Sequence, residues 1–362
     1  MGAPTRQLHD LGQRLWLDNI SRPLLRNGTL QRYIAELSIT GLTSNPTIFE
    51  QAFGSDAYDA SIRALCTAGL SNEALFFELA LGDLTQAADL FRPIFDASDG
   101  LDGWVSLEVS PLLADNSAHT IGAAARLHGR AARSNLFIKI PGTPEGVRAV
   151  EEVIFDGVPV NVTLLFSREH YLAAANAYML GLERRLAAGL DARVASVASM
   201  FVSRWDAAVN EAVSAPFHNR LGIAIAMRTY RAHRDLLASP RWQRLAAAGA
   251  RPQRLLWAST GAKDPAASDT LYVESLLAPG TINTLPEKTL LAFADHGRVG
   301  VPMAADGGYA DAVLEEFRRE GIDDGALAQR LQRDGVEAFA ASWHAMLSRI
   351  REKSTPDVTT PT

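Results

Sequence analysis

The sequence predicts an α/β fold, a closed (β/α)8 TIM barrel with additional helices. Three observations predict it. Short apolar runs rich in Val, Ile, Leu and Phe recur through the first 285 residues, as strands buried on both faces do. Longer stretches with helical periodicity separate them, and alternating βα units imply parallel strands with right-handed crossovers. There are eight such runs, where an open sheet has roughly five or six strands, so the sheet is expected to close.

In order, the runs are LWLDN (15–19), ITGLTSN (39–45), WVSLEV (104–109), NLFIKI (135–140), VPVNVTLLF (158–166), VASVASMFV (194–202), RLLWAS (254–259) and TINTL (281–285). Helices are expected over 117–133, 144–156, 168–188 and 201–213. Two stretches, 46–103 and 203–253, read as helical insertions. The second carries Arg228, Arg231 and Arg234, a spacing that suits a solvated helix face better than an anionic partner. Beyond Pro286 a helical extension runs to about Lys353. Residues 1–353 thus form one barrel domain, and the Thr/Pro-rich tail 354–362 is expected to be disordered.

Composition narrows the class. Hydrophobic residues make up 47% of the 362 and charged residues 21%, enough for a large core. A net charge of −6 argues against general affinity for nucleic acid or anionic membrane, so a bound phosphate needs a local basic pocket. The single cysteine, Cys66, allows no intramolecular disulfide and reads as a small buried side chain. Residues 1–14 lack an apolar signal core, and no stretch approaches about eighteen uninterrupted apolar residues, so a cytoplasmic protein is expected. The histidines show no metal-ligand spacing, and PGTPEG (141–146) lacks the Lys-Ser/Thr ending of a phosphate-binding P-loop. No metal and no cofactor are expected.

Polar residues fall at the C-terminal ends of the runs, where barrels build their sites. Asp18, Glu108, Lys139 and Arg204 are the ionisable ones. Lys139 is the sharpest, flanked by apolar residues in NLFIKIPGT. An amine held out of water favours its neutral form, which attacks a ketone to give an imine. The alternative is a structural Lys139–Glu108 pair. Imine chemistry also needs a general acid and a base, tasks that Glu108 and Asp18 can divide, with Thr163 holding a water. Asn45 and Asn161 suit the hydroxyls of a polyol. Ser199 with Arg204, and Ser259 with Lys263, suit a phosphate.

LWLDN, TGLTSNPTIFEQA, VSLEVSP, NLFIKIPGTPEG, NVTLLFS and ASMFVSRW resemble, in order, the signature segments of the transaldolase family over about residues 10–300. The resemblance implies a metal-free transferase of the non-oxidative pentose phosphate pathway. Such an enzyme moves a dihydroxyacetone unit from sedoheptulose 7-phosphate to glyceraldehyde 3-phosphate, giving erythrose 4-phosphate and fructose 6-phosphate. It implies Lys139 as the Schiff-base lysine, Glu108 as the acid acting through a water on Thr163, and Asp18 as the carboxylate serving the cleaved hydroxyl. Asn45 and Asn161 become hydroxyl-binding amides, and Ser199 and Arg204 the phosphate site. The chain departs from many relatives in reading ASTGAKDP after strand seven, where Lys263 stands in for an arginine. The rival readings are a fructose 6-phosphate aldolase, a silent binding barrel and a pyridoxal phosphate enzyme. Sugar phosphates are the expected partners, and monomer and homodimer both remain open.

Overall fold

A computed structural model describes residues 3–354. Eight parallel strands close into a barrel in chain order: β1 (Arg14–Asp18), β2 (Ile39–Thr43), β3 (Trp104–Glu108), β4 (Leu136–Pro141), β5 (Val160–Leu165), β6 (Ser196–Phe201), β7 (Arg254–Ala258) and β8 (Ile282–Leu285). Each expected strand is present, shifted by a residue or two. Both expected insertions are helical, with helices at Pro46–Ala52, Asp59–Thr67 and Asn72–Ala97 in the first and Ser203–Val209, Leu221–Ala238 and Pro240–Ala247 in the second. The helix expected over 201–213 is shorter, because β6 runs through Phe201 and the helix ends at Val209. Ser354 closes the last helix, Asp324–Ser354, rather than opening a tail, and 355–362 lie outside the described residues. Cys66 is half-buried and packs against the edge of the core.

The barrel interior is layered. At its N-terminal end Asp102 accepts from Arg14 Nε at 2.7 Å and from Arg254 Nη1 at 2.9 Å, so three charges satisfy one another. Above them lies an aromatic layer in which Trp104 stacks on Phe137, ring centres 4.0 Å apart, and Trp16 sits 6.2 Å from Phe137. Gly41 makes room for this layer: a Cβ there would lie 2.5 Å from Trp16 Cε2. The polar layer sits above, at the C-terminal end. Strand register aligns it, pairing Asp18 with Thr43, Glu108 with Lys139, and Lys139 with Asn161.

The 31-residue C-terminal helix Asp324–Ser354 crosses this end. Arg228 Nη2 holds its start through Asp324 at 2.7 Å. The solvated face expected for the arginine run is therefore wrong at Arg228, which is buried in an ion pair, while Arg231 pairs with Asp311 at 2.8 Å. Thr47 and Ser342 hydroxyls meet at 2.8 Å, and Lys353 Nζ reaches Asp59 Oδ1 at 2.6 Å. Trp343 packs edge-on against Phe76, ring centres 4.8 Å apart.

Candidate active site

The polar layer opens into a cavity of about 260 Å³, lined by Asp18, Asn45, Lys139, Thr163, Ser199, Arg204, Ser259 and Lys263. Glu108 and Asn161 stand behind that lining, both buried. All ten residues expected from sequence thus gather at one end of the barrel, at the strand ends that the fold itself aligns.

Lys139 is buried on β4 and its Nζ donates to the Ser44 carbonyl at 3.1 Å. Glu108 Oε2 is equally near, 3.1 Å from Nζ, and forms a buried ion pair with it. Beyond that ion pair Glu108 has no other donor among the described residues, and the buried Thr163 hydroxyl is unpartnered among them. Burial raises the Glu108 carboxyl above its ordinary value, and the Lys139 charge only partly offsets this. A carboxyl so placed holds its proton more readily and is suited to giving it up as a general acid.

Asp18 is held differently. Its Oδ1 accepts from Thr43 Oγ1 at 2.6 Å, and Thr43 Oγ1 lies 2.6 Å from Thr284 Oγ1. Because Thr43 donates to Asp18, Thr284 must donate to Thr43, so the chain of hydroxyls has one direction. Burial raises the Asp18 carboxyl too, opposed by the Lys139 charge, the Thr43 hydroxyl and Lys263.

The amide of Asn161 is fixed at both ends. Its Nδ2 donates to Ser106 Oγ at 3.1 Å, and Ser199 Oγ donates to its Oδ1 at 2.7 Å. Ser199, expected at a phosphate, therefore has its proton committed to Asn161. Asn45 caps the helix Pro46–Ala52 by accepting from the Ile48 amide at 3.0 Å, which leaves its Nδ2 for other work. Arg204 is half-buried and belongs to no ion pair among the described residues. Its guanidinium instead lies 5.2 Å from the Phe201 ring centre and 5.8 Å from that of Phe339. Burial lowers it from its ordinary value, with Asp334 and Glu108 acting in the opposite sense. Ser259, in left-handed backbone at φ +54°, meets Ser203 Oγ at 3.0 Å, and Lys263 stands exposed at the rim.

Several members were not singled out from sequence. Thr284 and Ser106 carry the same signal as the others, a polar residue in an apolar strand, and could have been found by it. Gln332 and Phe339 come from the C-terminal helix and carry no such signal. Gln332 Nε2 donates to the Gly142 and Leu164 carbonyls at 2.9 and 3.0 Å. These carbonyls close the strands that bear Lys139 and Thr163. Leu164 has φ +57°, and the β5–β6 register slips between Val162 and Leu165. That bulge re-aims the end of β5, and the Gln332 amide supplies the partners its carbonyls would otherwise lack.

A (β/α)8 barrel with a buried lysine, two carboxyls of raised affinity for protons and an unpaired guanidinium at its C-terminal end has the parts of an imine-forming, carbon–carbon bond-handling enzyme. The family is narrower than that class. Residues 15–350 match the family described as transaldolase/fructose-6-phosphate aldolase, and the chain belongs to it. Proteins named transaldolase from Thermobifida fusca and Parafrankia sp. are 43% and 44% identical to it over 98% of this chain and 99% and 98% of theirs. One from Thiobacillus denitrificans is 44% identical over 96% of this chain and 99% of its own.

Proposed function

We propose that the chain is a transaldolase, moving a dihydroxyacetone unit from sedoheptulose 7-phosphate to glyceraldehyde 3-phosphate through an imine on Lys139. The observation that carries this reading is the Lys139 amine, buried in the cavity lining with the Glu108 carboxyl 3.1 Å from its Nζ. A purely structural pair would not need a cavity, and here the amine lines the space on which Asn45, Thr163 and Arg204 converge.

The amine adds to the C2 carbonyl of the donor. Glu108 protonates the departing carbinolamine oxygen through a water on the Thr163 hydroxyl, and water leaves. Asp18, oriented by Thr43, takes the proton of the C4 hydroxyl as the C3–C4 bond breaks. The iminium receives the electron pair and becomes an enamine. The aldose phosphate departs, the acceptor aldehyde enters, and the steps reverse with Asp18 returning its proton. Asn45 Nδ2 and the fixed amide of Asn161 hold the hydroxyls of the three-carbon unit. Arg204 takes the phosphate as a fork, with Ser259 and Lys263 at the rim. Ser199 serves by orienting Asn161. Residues 1–353 act as one catalytic domain in the cytoplasm, as a monomer or homodimer. Among the described residues no helix is long and apolar enough to cross a membrane.

The relatives' printed name favours transfer over the aldolase alternative. The test is steady-state release of glyceraldehyde 3-phosphate from fructose 6-phosphate, with and without erythrose 4-phosphate. Release that depends on the acceptor supports transfer. Release at the same rate without it replaces the reading with an aldolase.

A further inference from the structure

We infer that Phe339 sets the choice between aldehyde and water as the acceptor of the three-carbon unit, by covering the Lys139 imine. The inference rests on the reading of Lys139 as the imine-forming lysine.

A transferase of this kind must hold a covalent intermediate while one aldose leaves and another arrives. The hazard is water. Once the enamine is protonated at carbon, water adds to the iminium carbon, the C–N bond breaks, and dihydroxyacetone and the lysine ammonium separate. The groups that form the imine, Glu108 and the Thr163 hydroxyl, equally assist its hydrolysis, because proton transfers run in both directions. Protection must then be steric, an apolar surface over the nitrogen.

Phe339 supplies one. Its ring is buried, lines the same cavity, and lies 5.6 Å from Lys139 Nζ and 5.8 Å from the Arg204 guanidinium carbon, so it flanks both the imine position and the cation suited to a phosphate. The helix that carries it is held close. A Cβ on Gly335, one turn earlier, would lie 2.9 Å from Leu164 Cδ2 and 3.3 Å from Arg204 Nη1. Gln332 ties the preceding turn to the ends of β4 and β5. The wall is thus referenced to the strands that bear the lysine and Thr163, and it has little freedom to swing away.

The experiment compares the full-length protein with Phe339→Ala and Phe339→Leu. With fructose 6-phosphate as donor, it measures the ratio of dihydroxyacetone freed to that transferred to erythrose 4-phosphate. The ratio should rise roughly tenfold in Phe339→Ala and less in Phe339→Leu, which keeps most of the volume. An unchanged ratio in a folded variant, with both branches slowed alike, would overturn the inference and leave Phe339 as packing. If Phe339→Ala fails to fold, the Leu variant decides by the same ratio. Borohydride trapping of wild type with fructose 6-phosphate, read by intact mass, separates the two levels. Absence of the adduct removes the imine reading and this inference together. A trapped adduct with an unchanged ratio removes only the role of Phe339.

Discussion

The two ends of the barrel both bury charge, and they treat it in opposite ways. At the N-terminal end Asp102 binds Arg14 and Arg254, and the arginines also reach the His9 and Leu101 carbonyls at 2.9 and 3.0 Å. At the C-terminal end Glu108 has only its ion pair with Lys139, and among the described residues Thr163 has no partner and Arg204 no carboxylate in ion-pair contact. The first cluster is closed to anything further. The second has donors and acceptors to spare, and leaving buried polar groups unmatched costs stability unless a ligand matches them. Burial alone therefore does not mark a functional charge; what sets this end apart is that its groups converge on one cavity.

Substitutions can break or sharpen this contrast. The largest effect belongs to Lys139→Ala, expected to lower transfer on the order of 10⁴-fold or more while the fold persists, as steady-state assay and circular dichroism would report. Unfolding of that variant would instead make Lys139 a structural group like those at the other end. Asp102→Ala should do the reverse. It strands two arginines, one of them deeply buried, and should cost about 3–5 kcal/mol in urea unfolding without touching the site. A change in turnover with no change in stability would erase the distinction between the two ends.

Glu108→Gln gives the smallest effect on stability and the finest test. Burial raises the folded-state carboxyl above its ordinary value of 4.5, so the folded chain binds that proton more tightly than the unfolded one. The stability this group contributes is complete below 4.5 and is lost as pH rises through the folded value. Glutamine suffers no such loss. The variant should lose roughly 10²-fold in activity. It should gain about 1 kcal/mol in stability at neutral pH, a gain that fades towards the ordinary carboxylate range. A variant less stable than wild type at pH 7 would mean that the ion pair with Lys139 outweighs the cost of burying Glu108.

The strands were legible because burial on both faces leaves a local mark, a run of apolar residues, and a lysine inside such a run is conspicuous. Eight of the ten candidate site residues lie within those runs, and Arg204 and Lys263 follow a few positions beyond two of them, since strand ends share one side of a parallel barrel. What sequence did not show lies where contacts span long separations. Arg228 reads as a solvated residue because its partner, Asp324, is 96 positions away. Phe339 belongs to a helix whose pattern says which residues it buries but not that they face the end of the barrel. The helix expected over 201–213 ends at Val209, where Asn210 and Glu211 turn the backbone although Ala212 and Val213 follow at apolar positions.

The aromatic layer of Trp16, Trp104 and Phe137 has a kinetic consequence. It stoppers the barrel beneath the lysine, with Gly41 leaving room for the Trp16 indole. The chamber is a cul-de-sac. With no rear exit, the outgoing and incoming aldoses must share one doorway. They must therefore take turns, and the order of events follows from the plumbing of the barrel before any chemistry is considered.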